Sequence, residues 1–305
     1  MKKLPSNKTS VQVISGSSST SWVRDVLELT KMRLTLMVVF SAVVGYAIAA
    51  GGAIHFVPVL ILGVGGFCVA GAANAINQIL EKEYDALMTR TAGRPVAAGR
   101  MQVSEAVVIA GILVFIGIIL LALFNPLAAF LGMLSFIVYA FLYTPMKRYG
   151  TLSVAVGAIP GALPVVIGCV AYEGTITWLA LILFAIQFLW QFPHFWAIGY
   201  LSFDQYQRAG FKLVPASADG SIHTSLGWHA LWYTLLLLPV CGVSLWIGVS
   251  GLWTTMLMIL ISLWYVQSAY LFWRKFNQEA ARSLMFTSFA YLPLVLLIIL
   301  LGGLL

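Results

Sequence analysis

Residues 56–80 read Phe56-Val-Pro-Val-Leu-Ile-Leu-Gly-Val-Gly-Gly-Phe-Cys-Val-Ala-Gly-Ala-Ala-Asn74-Ala-Ile-Asn77-Gln-Ile-Leu80, a run without a single charged residue. As a helix it would rise about 37 Å, enough to cross a hydrocarbon core about 30 Å thick. Only helices or closed barrels satisfy their backbone groups in lipid, and barrel strands alternate apolar with polar residues. This run does not alternate, so it reads as a membrane helix. The whole chain agrees: of 305 residues 61% are hydrophobic and 9% charged, against about 25% charged in soluble domains. The fold class is therefore all-α and polytopic. Nine spans are expected, near 33–52, 56–80, 104–123, 127–144, 152–172, 177–200, 226–248, 252–272 and 283–304.

The net charge of +7 would suggest nucleic-acid binding in a soluble protein, but the position of the cations excludes that reading here. All 17 Lys and Arg residues precede the first span or lie in every second connection after it, and the alternate connections around His55, Asn125, Glu173 and Ser250 carry none. The positive-inside rule makes the basic side cytoplasmic. The expected location is the cell membrane, multi-pass, with the N-terminus cytoplasmic and, after an odd number of spans, the C-terminus outside. Residues 1–21 are expected to form a disordered cytoplasmic tail without a signal-peptide core, and 22–305 the membrane domain. Trp22, Val26, Leu29 and Arg33 recur at helical spacing, as in an interfacial helix. Cys68, Cys169 and Cys241 form no paired motif and read as small core residues. Ser41, Gly45 and Ala49, and Gly157 with Gly161, read as small-residue stripes for close helix packing. Pro160, Pro164 and Pro193 interrupt two spans.

The end of the second span carries the chemistry. Asn77, Glu81 and Asp85 stand four residues apart, hence on one helical face within about 12 Å. Oxygen donors in such a row suit Mg²⁺ completed by substrate phosphate. A solvated helix end is the alternative reading of these acids alone. The loop that follows holds Arg90, Arg94 and Arg100 between glycines and Pro95, and arginine forks match phosphate oxygens. Tyr143, Lys147 and Arg148 close the fourth span on the same side, where a KR pair also serves as a membrane anchor. The sixth span contains Trp190, His194 and Phe195, followed by Asp204 and Tyr206. A lone buried histidine is more often a hydrogen-bonding core residue than a ligand.

Three segments, NQILEKEYDALMTRTAGRPVAAGR (77–100), YTPMKRYGTLSVAVGAIPGALP (143–164) and WQFPHFWAIGYLSFDQYQRAGFKLVP (190–215), resemble in order the UbiA superfamily of intramembrane prenyltransferases. That superfamily shares nine helices and an NxxxDxxxD motif after the second, and Asn77-x₃-Glu81-x₃-Asp85 fits it with Glu in the first acidic place. The third segment is similar to its haem-modifying branch, which lacks the second Asp-rich motif of quinone-precursor enzymes. Gln205 between Asp204 and Tyr206, and Ser153 where many relatives have Asn, differ from that branch.

The resemblance implies a UbiA-type bundle that transfers farnesyl from farnesyl diphosphate to a vinyl group of haem B, with addition of water, giving haem O and diphosphate. It implies Mg²⁺ as cofactor, held by Asn77, Glu81 and Asp85. Arg90, Arg94, Lys147 and Arg148, with Tyr143, are the residues expected to bind diphosphate. His194 is expected to ligate haem iron or orient the macrocycle. Trp190, Phe195, Asp204 and Tyr206 are expected near haem or prenyl, and Phe188, Trp190, Phe192, Phe195 and Trp196 are expected to line a dry aromatic cavity around the allylic cation. Haem B, farnesyl diphosphate and the bilayer are the implied partners, together with a haem A-forming enzyme and no nucleic acid. Another aromatic acceptor, quinone- or chlorophyll-like, is a second reading. A transporter is a third, since kinked helices and intramembrane acids also mark transport sites.

Overall fold

A computed structural model describes residues 21–303; the expected tail, apart from Ser21, and the last two residues lie outside the described residues. The described chain is helical, with one isolated antiparallel bridge between Ala216 and Ile222 in a connection. It begins with α1 (Trp22–Leu29), capped by Ser21, whose side chain accepts from Arg24 N. Its Asp25 and Leu29 are buried, whereas Trp22, Val23 and Leu27 stay exposed. This split is the one an interfacial helix docked on a membrane domain needs.

Nine helical spans follow among the described residues. They are α2 (Met32–Ala49), α3 (Phe56–Leu80) with the short α4 (Lys82–Asp85), α5 (Val103–Ala122), and α6 (Pro126–Ile137) continued by α7 (Thr144–Met146). Then come α8 (Leu152–Glu173), α9 (Trp178–Leu201) with α10 (Phe203–Arg208), α11 (Ser225–Leu235) with α12 (Leu237–Trp246), α13 (Leu252–Lys275) and α14 (Gln278–Gly302). The expected spans agree to within a few residues. The last begins earlier than its apolar run because Asn277 caps it, accepting from Ala280 N, and a polar first turn precedes the span.

Prolines set the breaks. Between α6 and α7 the helix widens to a π turn over Val138–Tyr143, just before Pro145, which cannot donate to the Phe141 carbonyl. The seventh span breaks at Leu236 because Pro239 cannot donate to Leu235. In α8, Pro164 frees the Pro160 carbonyl, and Ser135 Oγ donates to it at 3.3 Å. In α9, Tyr265 donates to the Trp190 carbonyl at 3.1 Å, beside the kink at Pro193.

The most enclosed span is α8, which packs between α2, α6 and α9 and is 72% buried. It reaches that position through close approach to α2: a Cβ on Gly168 would lie 1.9 Å from the Ala42 carbonyl oxygen, and one on Gly45 would lie 2.3 Å from that of Val165. The stripe containing Gly45 thus packs helices as expected. Gly157 and Gly161 do something else. They make room for side chains, those of Tyr143 and Gln191. The three cysteines are free and buried.

Candidate active site

The three amides at the end of α3 organise the basic end of the bundle. Gln78 Nε2 donates to the carbonyls of Glu28 and Leu29, both at 2.9 Å, so it fastens α1 to α3. Asn74 Nδ2 donates to Thr35 Oγ1 at 3.1 Å. Asn77 Nδ2 donates to Thr144 Oγ1 at 3.1 Å, and that hydroxyl donates to the Tyr139 carbonyl at 2.9 Å, which ties the π turn to α3. The helix breaks at Glu81, but Glu81 N still donates to the Asn77 carbonyl at 3.0 Å and Asp85 N to that of Glu81 at 2.7 Å. Asn77, Glu81 and Asp85 therefore remain on one face, and all three are buried.

A cation from a different part of the chain meets each of them. Lys31 Nζ donates to Asn77 Oδ1 at 2.9 Å, Lys147 Nζ lies 2.9 Å from Glu81 Oε1, and Arg94 donates to both oxygens of Asp85 at 2.8 and 2.6 Å. Burial raises the Asp85 carboxyl, and Arg94 pulls it back only in part. Burial alone would lower the Lys147 ammonium, but Glu81 outweighs it and holds it above the ordinary lysine value. Lys31 lies well below that value, through burial and then the nearby Arg94 and Lys147. Lys31, Arg94 and Lys147 outnumber the carboxylates of Glu81 and Asp85, so the pocket has a formal positive excess, the electrostatic condition for taking up an anion.

Lys31 was not singled out from the sequence, where it looks like any other topogenic cation before the first span. Its backbone is left-handed, with φ 49°, at the α1–α2 junction. A non-glycine residue held there costs about 1 kcal/mol or more, and such strain concentrates at functional sites.

The other expected cations separate by position. Arg148 packs over the Tyr84 ring, 4.9 Å from its centroid, and donates to Tyr84 Oη, one layer out from Glu81. Arg100 pairs with Asp25 at 2.8 Å and Glu28 at 2.7 Å, so it anchors the loop to α1. Arg90 is exposed, its backbone N–H donating to Gln205 Oε1 at 3.4 Å, and among the described residues it forms no ion pair. Asp204 is exposed as well. Tyr206 packs with Phe211 against Met88 and Ala209, so the second and sixth spans' connections close over one another, and Lys212 N donates to the Lys147 carbonyl at 2.7 Å.

Next to this pocket, between α2, α3, α8 and α9, is an apolar cavity of about 250 Å³. Asn74, Tyr139 and Tyr143 line it, and Lys147 Nζ stands 4.6 Å from the Tyr143 ring centroid. Leu34 and Met37 line it too and are exposed on the outer surface, which puts its mouth beside α2, facing lipid. Trp190, His194 and Phe195 line it. Phe188, Phe192 and Trp196 do not. Four residues apart, they occupy another face of α9, where Phe192 stacks on Tyr233 at 4.0 Å.

His194 stacks on Trp190 with ring centroids 4.9 Å apart, and its Nδ1 lies 2.7 Å from Ser288 Oγ. That hydroxyl donates its single hydrogen to the Met285 carbonyl at 2.5 Å. In the tautomer that donates from Nδ1 to this hydroxyl, Nε2 keeps a lone pair, on a ring that lines the cavity.

The donor set fits a hard cation: two carboxylates and an amide oxygen, buried in a row and already held by positive groups. No cluster of three His, Cys, Asp or Glu exists among the described residues, so amide and substrate oxygens would have to complete such a shell.

A family model described as the UbiA prenyltransferase family matches residues 38–290. The protoheme IX farnesyltransferase of Cytophaga hutchinsonii is 41% identical over 270 residues, covering 88% of this chain and 93% of its own. Among solved structures, one of a digeranylgeranylglyceryl phosphate synthase aligns with a TM-score of 0.77 at 19% identity, over 92% of this chain and 98% of its own. A UbiA homologue from Archaeoglobus fulgidus bound to GPP and Mg²⁺ aligns with a TM-score of 0.60 at 13% identity, over 90% and 99%. At those identities the two structures speak for the fold, while the family model and the farnesyltransferase speak for descent. An acid-and-amide row faced by cations beside an apolar intramembrane cavity belongs with that fold, and the chain is a member of the UbiA prenyltransferase family.

Proposed function

We propose that this chain is a protoheme IX farnesyltransferase, transferring farnesyl from farnesyl diphosphate to a vinyl group of haem B with addition of water, to give haem O and diphosphate. One observation carries the reading at the level of the site. The Lys31–Asn77, Lys147–Glu81 and Arg94–Asp85 contacts form a charged pocket beside an apolar cavity that His194 lines. An amphiphile with a diphosphate head and a hydrocarbon tail matches that division.

In this proposal Asn77, Glu81 and Asp85 hold Mg²⁺, which stabilises charge on the leaving diphosphate. Lys31 turns from the Asn77 amide, and Arg94 and Lys147 from the carboxylates, to the diphosphate oxygens, and Arg148 supports them from the next layer. Arg90 meets the diphosphate from the exposed loop beside the pocket. Tyr143, Trp190 and Phe195 present ring faces to the allylic cation, and the cavity keeps bulk water from it. His194 ligates haem iron through Nε2, with Nδ1 held against Ser288 Oγ. Tyr206 belongs to the cap over the pocket, and Asp204 has no role in the transfer. Both substrates reach the cavity laterally, beside Leu34 and Met37. The cation asymmetry supports a cell-membrane protein with its site on the cytoplasmic side, and haem O as product implies a haem A-forming enzyme downstream.

Purified protein incubated with haem B, farnesyl diphosphate and Mg²⁺ should yield a more hydrophobic haem, heavier by a farnesyl group and a water, on reversed-phase chromatography and mass spectrometry. Asp85→Asn should abolish that product with insertion intact. Unmodified haem, with prenylation of a quinone precursor instead, would overturn the acceptor.

A further inference from the structure

Gln191 is a buried amide, 2% exposed, in the motif that carries His194, and nothing in the reaction above uses it. Both hydrogens of its Nε2 are engaged, one with the Ala158 carbonyl at 3.1 Å and one with the Gln187 carbonyl at 3.0 Å. Carbonyls only accept, so the amide cannot be flipped. Its Oε1 is consequently fixed; it accepts no hydrogen bond among the described residues and is not one of their fully enclosed unpartnered atoms, so it opens to the cavity that Gln191 lines. Oε1 lies across the bare Cα of Gly161, where a Cβ would come within 1.9 Å of it, and Gln191 and Gly161 both line the cavity. The glycine on the facing helix α8 leaves the space in which this acceptor sits.

A fixed, unsatisfied acceptor in an apolar cavity calls for a donor. Neither a prenyl chain nor a porphyrin whose nitrogens bind iron offers one. The reaction has one further reactant, and it is a donor: water. We propose that Gln191 Oε1 holds the water that is added to the haem side chain. The inference rests on the haem-farnesylating function proposed above. Gln191 and His194 are three residues apart on α9, neighbours on one helical face separated by about 5 Å. With His194 on iron at the centre of the porphyrin, Gln191 falls under its edge, where the vinyl groups are.

The electrons and atoms then balance as follows. The C1–O bond of farnesyl diphosphate breaks, and its electron pair leaves with diphosphate. The vinyl π pair forms the new C–C bond to C1, leaving a cation on the carbon attached to the porphyrin ring. The water held by Gln191 Oε1 donates one O–H to the amide and places its lone pair on that carbon, forming the C–O bond. The proton it loses passes to the released diphosphate. Gln191 positions the water and neither gains nor loses a proton.

The test is the product of Gln191→Leu, with the wild-type protein in parallel. If the wild type makes no farnesylated haem, the function proposed above is wrong. If it does, Gln191→Leu should still release diphosphate and consume haem B. Its yield of haem O per diphosphate should fall at least about tenfold. In place of haem O it should accumulate a farnesylated haem lighter by one water, formed when the cation loses a proton from the adjacent carbon. Haem O in the wild-type ratio would overturn the assignment, and so would equal loss of diphosphate release and haem O, which is the signature of a merely structural role. If Gln191→Leu does not assemble in the membrane, a cryo-EM map of the wild type decides the matter. Water density within hydrogen-bonding distance of Oε1 supports the proposal, and an Oε1 in contact with hydrocarbon alone overturns it.

Discussion

Lys31 and Arg94 illustrate what a single position contributes to this site. Arg94 could be picked out because it follows two spaced acids and sits between Gly93 and Pro95, but nothing in sequence ranks it above Arg90 or Arg100. The three part only when the loop folds: Arg94 turns inward to Asp85, Arg100 outward to α1, and Arg90 to solvent. Lys31 had no sequence signal beyond its charge, because its role depends on a left-handed backbone and on an amide 46 residues away. A charge-assisted hydrogen bond is worth about 1.5–3 kcal/mol. Lys31→Gln should therefore raise the KM for the prenyl diphosphate by about tenfold or more, measured by steady-state kinetics, with the KM for haem unchanged. His194→Ala should shift the haem absorbance of purified protein saturated with haem. An unchanged spectrum would remove the iron-ligand role and leave His194 as a hydrogen-bonding wall residue.

Among the elements, α8 decides whether the cavity exists. Its run of small residues and its two prolines mark an unusual span, but the stripe has two uses that look alike in sequence. Gly168 admits the α2 backbone, whereas Gly157 and Gly161 admit a tyrosine ring and an amide. Overpacking a tight contact against backbone costs about 1–3 kcal/mol. Gly168→Ala should therefore lower the denaturation temperature in detergent, whereas Gly150→Ala, where a Cβ meets nothing within 4 Å, should leave it unchanged. The π turn before Pro145 is the other element that matters. Proline announces a disturbance there, but not that the helix will widen and tie Tyr139 to α3 through Thr144.

For the molecule as a whole, every Lys and Arg among the described residues lies before the first span, in the connections that share that side, or in the span ends that meet them, as Arg33, Arg274, Lys275 and Arg282 do. The three native cysteines are buried, which simplifies a test of orientation on a cysteine-free background. A membrane-impermeant maleimide should label Thr175→Cys from outside the cell, and Asp219→Cys only after the cytoplasmic face is opened. The opposite pattern would invert the topology. By itself the sequence determined the nine spans, the common side of the cations and the spaced Asn77, Glu81 and Asp85. Each of these follows from a local rule: apolar length against bilayer thickness, charge against insertion, and helical period. Only the tertiary structure decided which cation meets which acid, which aromatics line the cavity, and that Gln191 keeps a free acceptor there. Those facts come from residues far apart in the chain meeting across helix interfaces, and their directions are set by kinks, the left-handed junction at Lys31 and glycines whose missing side chains leave room.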